Sequence, residues 1–269
     1  MVKGKKNGTA ESCNCSFNLD LDLASGVQQL LFPKSSPVCS WSCIGIKNRM
    51  AQGVGGDYFD FITLGDGCQL IFLGDVTGHG LQASLVMGLL YGFIHRSAAQ
   101  DCDPLRVLRE INTFLRLFAK RSEKYDYFFS STLFCGVINP DSLCMEYVNA
   151  GHVAPVVRRG DELFRLKPSG QPLGYFDQPE LDLELFRLRS GDRLLLFTDG
   201  ITEAEGRNGE QFGRRRLERL VRDHREDHLD FLDEVFASLQ RFGVRDPLAD
   251  DCTAIVIDMH GAFGRNDAE

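Results

Sequence analysis

The sequence lacks any hydrophobic run of the roughly 18 residues that a membrane-spanning helix requires, so we expect no membrane span. Met1–Ala10 is polar and basic, without the apolar core of a signal peptide. An excess of positive charge is also missing, since 38 acidic residues stand against 30 basic ones and the net charge is −8. Such a balance does not suit a protein that coats nucleic acid or an anionic membrane. We therefore expect neither as a partner.

The nine cysteines show neither an even number nor the spacing of a disulfide framework. Most of them lie in apolar strings, which is typical of a reduced, cytoplasmic protein. Cys13 and Cys15, together with Cys39 and Cys43, leave a four-thiolate zinc site as an alternative to plain buried thiols.

The 269 residues are 43% hydrophobic and 25% charged, which is ordinary for a globular protein and excludes wholesale disorder. We expect a flexible tail at 1–24, a single domain at 25–260 and a polar tail at 261–269. A lead-in helix is predicted over Leu19–Phe32, with Leu23, Val27 and Leu30 at helical spacing on a face that is more often core than partner surface.

The order of predicted elements indicates a layered α+β fold. A β-hairpin over 58–73 is followed by two helices, three predicted hairpins in series over 132–198, two more helices and a final strand at 253–259. Hairpins in series indicate antiparallel sheet, and at least eight strands exceed what one small sheet can bury. We expect an αββα sandwich, with two antiparallel sheets flanked by helices.

Four carboxylates share one setting, at the point where an apolar strand starts or stops beside small residues: Asp57, Asp75, Asp199 and Asp250. One such Asp is usually a turn residue. If all four converge, each pair of like charges ~4 Å apart costs about 4 kcal/mol at an effective dielectric near 20. Raised pKa values relieve this repulsion, and divalent cations relieve it better. Oxygen ligands select Mg²⁺, Mn²⁺ or Ca²⁺, and paired cations are suited to phosphoester hydrolysis.

These strand ends lie in motifs that resemble the SpoIIE-type bacterial serine/threonine phosphatases, a branch of the metal-dependent, type-2C-like protein phosphatases. The matching strings, in chain order, are Val54–Asp60, Gly74–Gly80, Asn149–His152, Pro172–Gly174, Phe197–Glu203 and Asp250–Thr253. Leu30–Pro33 is similar to the helix that leads into the domain of that family. Each motif is weak alone, but six in order over nearly the whole chain are specific.

The resemblance implies the αββα sandwich and a site for two Mn²⁺ or Mg²⁺ ions. In this sequence Asp75 would bridge both ions, Asp199 and Asp250 would complete one site, and Asp57 with the Val76 carbonyl would complete the other. Asp75 and Asp199 are therefore the expected catalytic residues. Second-shell roles are expected for Asp60, Asp251 and His79, although a histidine at a helix start is often only structural.

The resemblance further implies a phosphoserine or phosphothreonine substrate on a STAS-domain anti-sigma-factor antagonist, within a partner-switching pathway. Two alternatives stay open: a non-catalytic phosphatase-like scaffold, and a two-metal hydrolase of small phosphoesters. The chain leaves little room for a sensor domain, so we expect regulation by a separate upstream activator. The helix near Leu23–Phe32 is expected to receive that input or to form a homodimer.

Overall fold

The computed structural model describes residues 10–33, 39–99, 103–122 and 128–261. Within these ranges the helices are α1 (Ala10–Leu31), α2 (Gly80–Ala98), α3 (Pro104–Ser122), α4 (Asp199–Glu203), α5 (Arg214–Asp223) and α6 (His228–Phe242). The strands are β1 (Ser42–Arg49), β2 (Tyr58–Thr63), β3 (Gln69–Val76), β4 (Ser131–Asn139), β5 (Cys144–Ala150), β6 (Val156–Arg159), β7 (Glu162–Arg165), β8 (Glu184–Arg187), β9 (Arg193–Phe197) and β10 (Cys252–Met259).

The strands form two five-stranded antiparallel sheets, which we call the first and the second sheet. The first sheet has the order β1-β10-β9-β6-β7, and the second has the order β2-β3-β4-β5-β8. Helices α5 and α6 pack on the first sheet, whereas α2 and α3 pack on the second. This arrangement confirms the predicted αββα sandwich.

One predicted hairpin is wrong. The turn around Gly191 forms as expected, but the strands on either side of it enter different sheets, since β8 pairs with β5 and β9 pairs with β10 and β6. Turn residues predict that the chain reverses direction, but they do not determine which strand each flanking strand pairs with. Here the chain passes from the second sheet to the first at this turn. The two preceding hairpins, β4–β5 and β6–β7, are confirmed.

Alternating side chains fill two apolar layers. The inner layer lies between the sheets and beneath α2 and α3, and it contains Phe72, Phe134 and Leu194, all of them buried. A second layer lies between the first sheet and α5 and α6, where Phe231 and Val256 are buried. Because both faces of the first sheet are covered, β9 and β10 are apolar along almost their entire length.

Helix α1 differs from its prediction in two respects. It begins at Ala10 rather than Leu19, so only residues 1–9 of the expected tail lie outside the described residues at that end. Its predicted apolar face does not enter the core, because the exposed fractions of Leu23, Val27 and Leu30 are 62%, 64% and 67%. Nearly all of the expected polar tail at the other end, residues 262–269, also lies outside the described part of the chain.

No helix among the described residues is both long enough and apolar enough to cross a membrane.

Candidate active site

The ends of four strands meet at one edge of the sandwich. In the second sheet the register pairs Tyr58 with Gly74, so the start of β2 lies beside the end of β3. In the first sheet it pairs Phe197 with Ala254, so the end of β9 lies beside the start of β10. The four predicted acids occupy these ends, and we call Asp57, Asp75, Asp199 and Asp250 the carboxylate cluster.

Asp57 joins the two sheets. Its side chain is buried, and its Oδ2 accepts hydrogen bonds from the hydroxyls of Thr198, at 2.9 Å, and Thr253, at 2.5 Å. Thr198 and Thr253 belong to the other sheet, where they also bond to each other through the Thr253 N–H and the Thr198 hydroxyl. These contacts hold the Asp57 carboxylate at the sheet interface with one oxygen already occupied.

Burial and mutual repulsion raise the pKa values of the cluster. Burial raises the pKa of Asp75 to about 8, and the negative charges of Asp199 and Asp250 add to the shift. Burial and the charge of Asp75 raise the pKa of Asp57 well above its usual range. The pKa values of Asp199 and Asp250 are also raised, again mainly by burial. A cation bound among the ionised carboxylates would relieve the repulsion between their negative charges.

Asp251 organises the loop that carries Asp57. Its Oδ1 accepts the Ala51 N–H and its Oδ2 accepts the Gly56 N–H, both at 2.8 Å. This carboxylate is therefore committed to the backbone of the 51–56 loop. Its contacts hold in place the loop that leads to Asp57, and its predicted role at the site stays a prediction.

Gly55 and Gly56 allow this loop to lie against the cluster. A Cβ on Gly55 would overlap the Asp251 carboxylate. A Cβ on Gly56 would lie 2.7 Å from the Val76 carbonyl oxygen and 3.1 Å from Asp75 Oδ1. The Val76 carbonyl oxygen and the Asp75 carboxylate thus both lie against the Gly56 backbone, where no side chain separates them.

His79 and Asp60, the other two predicted second-shell residues, lie in different settings. His79 is exposed immediately before α2, and its Nδ1 is 3.1 Å from Gln52 Nε2. Burial raises the pKa of Asp250 and Asp251, and the nearby His79 offsets only part of that rise. Asp60 takes its partners from α2 instead. Its Oδ2 lies 2.8 Å from His95 Nε2 and accepts the Tyr91 hydroxyl, so its contacts indicate a structural role.

Helix α1 contacts the 51–56 loop, and no pattern in the sequence predicted this contact. Gln28 on α1 has an exposed fraction of only 5%, and its amide pairs with both backbone groups of Gly55, at 2.8 and 3.1 Å. Ser25 adds a hydrogen bond to the Gly53 carbonyl. The spacing of the apolar residues predicted that the opposite face of α1 would be buried, so the burial of Gln28 was not predicted.

The donor chemistry of the cluster fits a hard divalent cation. Its side-chain donors are carboxylates, the Val76 carbonyl lies near that of Asp75, and oxygen ligands of this kind suit Mg²⁺ or Mn²⁺. Within the described residues, however, no three Asp, Glu, His or Cys side chains meet in the tight arrangement of an assembled metal site. The carboxylates are close enough for their negative charges to raise one another's pKa.

The chain resembles known proteins over most of its length. Residues 65–260 match the family described as Stage II sporulation protein E (SpoIIE). Protein IcfG of Synechocystis sp. is 27% identical over 221 residues, which cover 74% of this chain and 35% of that protein. Phosphoserine phosphatase RsbU of Bacillus subtilis is 26% identical over 210 residues, which cover 76% of this chain and 59% of RsbU. The chain thus corresponds to between about a third and three fifths of these relatives.

Solved structures share the fold. The SiaA-PP2C domain of Pseudomonas aeruginosa superposes with a TM-score of 0.77 at 22% identity, covering 91% of this chain and 98% of that domain. The PP2C phosphatase domain of SpoIIE from Bacillus subtilis, solved with a fragment of its regulatory domain, gives a TM-score of 0.70 at 20% identity. That match covers 82% of this chain and 63% of the SpoIIE chain.

Proposed function

Because the chain belongs to the Stage II sporulation protein E (SpoIIE) family, we propose that it is a metal-dependent protein serine/threonine phosphatase. The observation that carries this proposal is the convergence of Asp57, Asp75, Asp199 and Asp250, with raised pKa values, at one edge of the sandwich. The printed name of one relative, phosphoserine phosphatase RsbU, supports the same reaction.

The proposed ligands follow the positions of the cluster. Asp75 would contact two Mn²⁺ or Mg²⁺ ions, Asp199 and Asp250 one of them, and Asp57 with the Val76 carbonyl the other. Divalent cations held here supply Lewis-acid chemistry for the hydrolysis of a phosphomonoester. Thr198 and Thr253 orient Asp57 through their hydroxyls. Asp75 and Asp199 are the proposed catalytic residues.

The proposed substrate is a phosphoserine or phosphothreonine on a regulatory protein, most specifically a STAS-domain anti-sigma-factor antagonist in a partner-switching pathway. Two observations support this class. Relatives carry the name phosphoserine phosphatase, and one solved structure with the same fold joins an RsbU domain to an RsbW domain in a Mycobacterium tuberculosis protein.

We also propose that α1 is the point of regulation, through a separate activator or a second copy of the chain. Its exposed Leu23, Val27 and Leu30 offer an apolar face for a partner. Its buried Gln28 touches Gly55, two residues before Asp57. A partner that displaces α1 would thereby move the loop that holds a proposed metal ligand. Removal of residues 1–32 should change the Mn²⁺ dependence or the oligomeric state, and an unchanged enzyme would contradict this role.

A cytoplasmic location is part of the proposal, and the cysteines support it. The six cysteines whose side chains are described are all free of disulfides: Cys39, Cys43, Cys68, Cys135, Cys144 and Cys252. The four-thiolate alternative also needs Cys13 and Cys15, whose side chains lie outside the described residues.

The proposal is tested by phosphate release from a phosphorylated STAS-domain protein, with Mn²⁺ and with a chelator. We expect release only with Mn²⁺, its loss in Asp199→Asn, and normal rates in the control Asp141→Asn, which changes an exposed turn residue. Release that survives in Asp199→Asn would refute the assigned site. Faster turnover of p-nitrophenyl phosphate than of any phosphoprotein would favour the small-phosphoester alternative, and binding without turnover would favour the scaffold.

A further inference from the structure

A cavity of about 410 Å³ opens at the end of the first sheet that lies opposite the carboxylate cluster. Arg193 begins β9 and lines the cavity, whereas Asp199 follows the end of the same strand. Six residues of extended chain separate them, a distance of about 20 Å. The cavity is therefore distinct from the proposed active site.

Two arginines on neighbouring strands line this cavity, and they differ sharply in their contacts. Arg158 on β6 lies directly opposite Arg193 on β9. The Arg193 guanidinium donates to both oxygens of Asp258, each at 2.7 Å, and to the carbonyls of His224 and Glu226. Arg158 has an exposed fraction of only 8%, yet its buried Nε has no partner and no hydrogen bond or salt bridge joins its guanidinium to any described residue.

The acids that line the cavity are already engaged. Asp258 pairs with Arg193, and Asp192 accepts two hydrogen bonds from Arg159. Asp227 accepts the N–H groups at the start of α6, and Glu226 accepts the Arg225 N–H and lies 3.2 Å from His224 Nε2. Burial and the charges of Arg193 and Arg225 lower the pKa of Arg158, and the negative charges of Asp258 and Asp161 offset only part of this shift. Its positive charge is thus incompletely compensated, although an unpaired buried charge is costly to maintain.

We propose that this cavity binds a small oxyanion, namely inorganic phosphate or a small phosphomonoester, with the Arg158 guanidinium as the main donor. The planar fork of arginine matches phosphate oxygens in bidentate geometry. His228 also lines the cavity and offers a further donor. Arg225 lines it too, but its guanidinium already binds Asp161 and the Gly160 carbonyl. The volume exceeds that of phosphate alone, so a small organic group also fits. This inference does not depend on the proposed phosphatase activity.

The test compares Arg158→Met with its parent in an Asp199→Asn background treated with a chelator, so that the cluster neither takes up phosphate through metals nor hydrolyses esters. Calorimetry and thermal melts are recorded with inorganic phosphate, O-phospho-L-serine and acetate at equal ionic strength. We expect both phosphate compounds to bind the parent and to raise its melting temperature. Arg158→Met should bind them about tenfold more weakly or not at all, and Arg158→Lys should lie between. If inorganic phosphate binds more tightly, the ligand is free phosphate; if O-phospho-L-serine binds more tightly, it is a small phosphomonoester.

Two further measurements distinguish phosphate binding from a structural role of Arg158: a control substitution, and the stability of the variant without phosphate. Arg215→Met, which changes an exposed arginine on α5, should leave phosphate binding unchanged. In chloride buffer without phosphate, Arg158→Met should be as stable as its parent or more stable, because it removes an unpaired buried charge. The inference is overturned if Arg158→Met keeps the phosphate response, if acetate acts as strongly as phosphate, or if Arg158→Met is strongly destabilised without any anion.

Discussion

Replacement of Asp75 by asparagine should stabilise the metal-free protein, even though it should abolish metal-dependent activity. The carboxyl of Asp75 has a pKa of about 8 in the folded protein, compared with its ordinary value of 3.8. The folded state therefore holds a proton that the unfolded chain releases. Between pH 4 and pH 8 this difference destabilises the fold progressively, whereas at lower pH both states are protonated and the penalty disappears.

The size of this effect follows from the shift. At pH 7 the penalty is about 2–4 kcal/mol, where the lower figure allows for the part of the carboxylate that still meets water. Asparagine has nearly the same shape and cannot ionise, so the variant escapes the penalty. For a chain of this size, 2–4 kcal/mol corresponds to roughly 5–10 °C in melting temperature.

The assay is thermal unfolding in the presence of a chelator at pH 5, 7 and 8, repeated with Mn²⁺. We expect Asp75→Asn to melt above the wild type at pH 7 and 8, with the gap closing at pH 5. Mn²⁺ should raise the melting temperature of the wild type and have little effect on the variant. Asp141→Asn, at an exposed turn, should follow the wild type throughout. A variant less stable than the wild type at pH 8, or a gap that does not change with pH, would refute this reasoning.

Three further substitutions probe the groups around the cluster. Gln28→Ala removes the contacts to Gly55 and should cost about 1–3 kcal/mol and weaken Mn²⁺ binding in titrations, whereas exposed Gln29→Ala should do neither. Gly56→Ala places a Cβ 2.7 Å from the Val76 carbonyl oxygen and should lower Mn²⁺ affinity and cost about 1–3 kcal/mol. In contrast, Gly88→Ala, in open space on α2, should stabilise by up to about 1 kcal/mol. Thr253→Val removes a hydroxyl that donates to buried Asp57 and should cost about 1–3 kcal/mol in urea unfolding. If Gln28→Ala and Gly56→Ala bind Mn²⁺ as tightly as the wild type, the 51–56 loop does not contribute to metal binding.

The strand ends were predictable because local sequence determines them. An apolar run that stops at an acid beside glycine marks the end of a buried strand. The stacking of the two sheets then brings Asp75 and Asp199 near each other, so that the charge of Asp199 adds to the rise in the pKa of Asp75. The fold class followed from the number of strands and their order. These inferences need only periodicity and turn chemistry.

Features set by distant contacts could not be predicted. Strand β1 was missed because Gly45 interrupts it and polar residues end it, and the reason for Gly45 lies on α6, where Leu232 would meet any Cβ at 2.9 Å. The exposure of the apolar face of α1 could not be predicted, because helical spacing shows that such a face exists but not whether the core covers it. Asp60 was assigned to the site by proximity in sequence, although its partners Tyr91 and His95 come from α2.

The central claim is that Asp57, Asp75, Asp199 and Asp250 hold divalent cations. It is tested most directly by counting the Mn²⁺ ions bound at equilibrium, by calorimetry and by the magnetic coupling of neighbouring ions in electron paramagnetic resonance. The account predicts two coupled Mn²⁺ ions per chain in the wild type and loss of the coupled pair in a folded Asp75→Asn variant. A wild type that binds no Mn²⁺, or an Asp75→Asn variant that still binds a coupled pair, would contradict it.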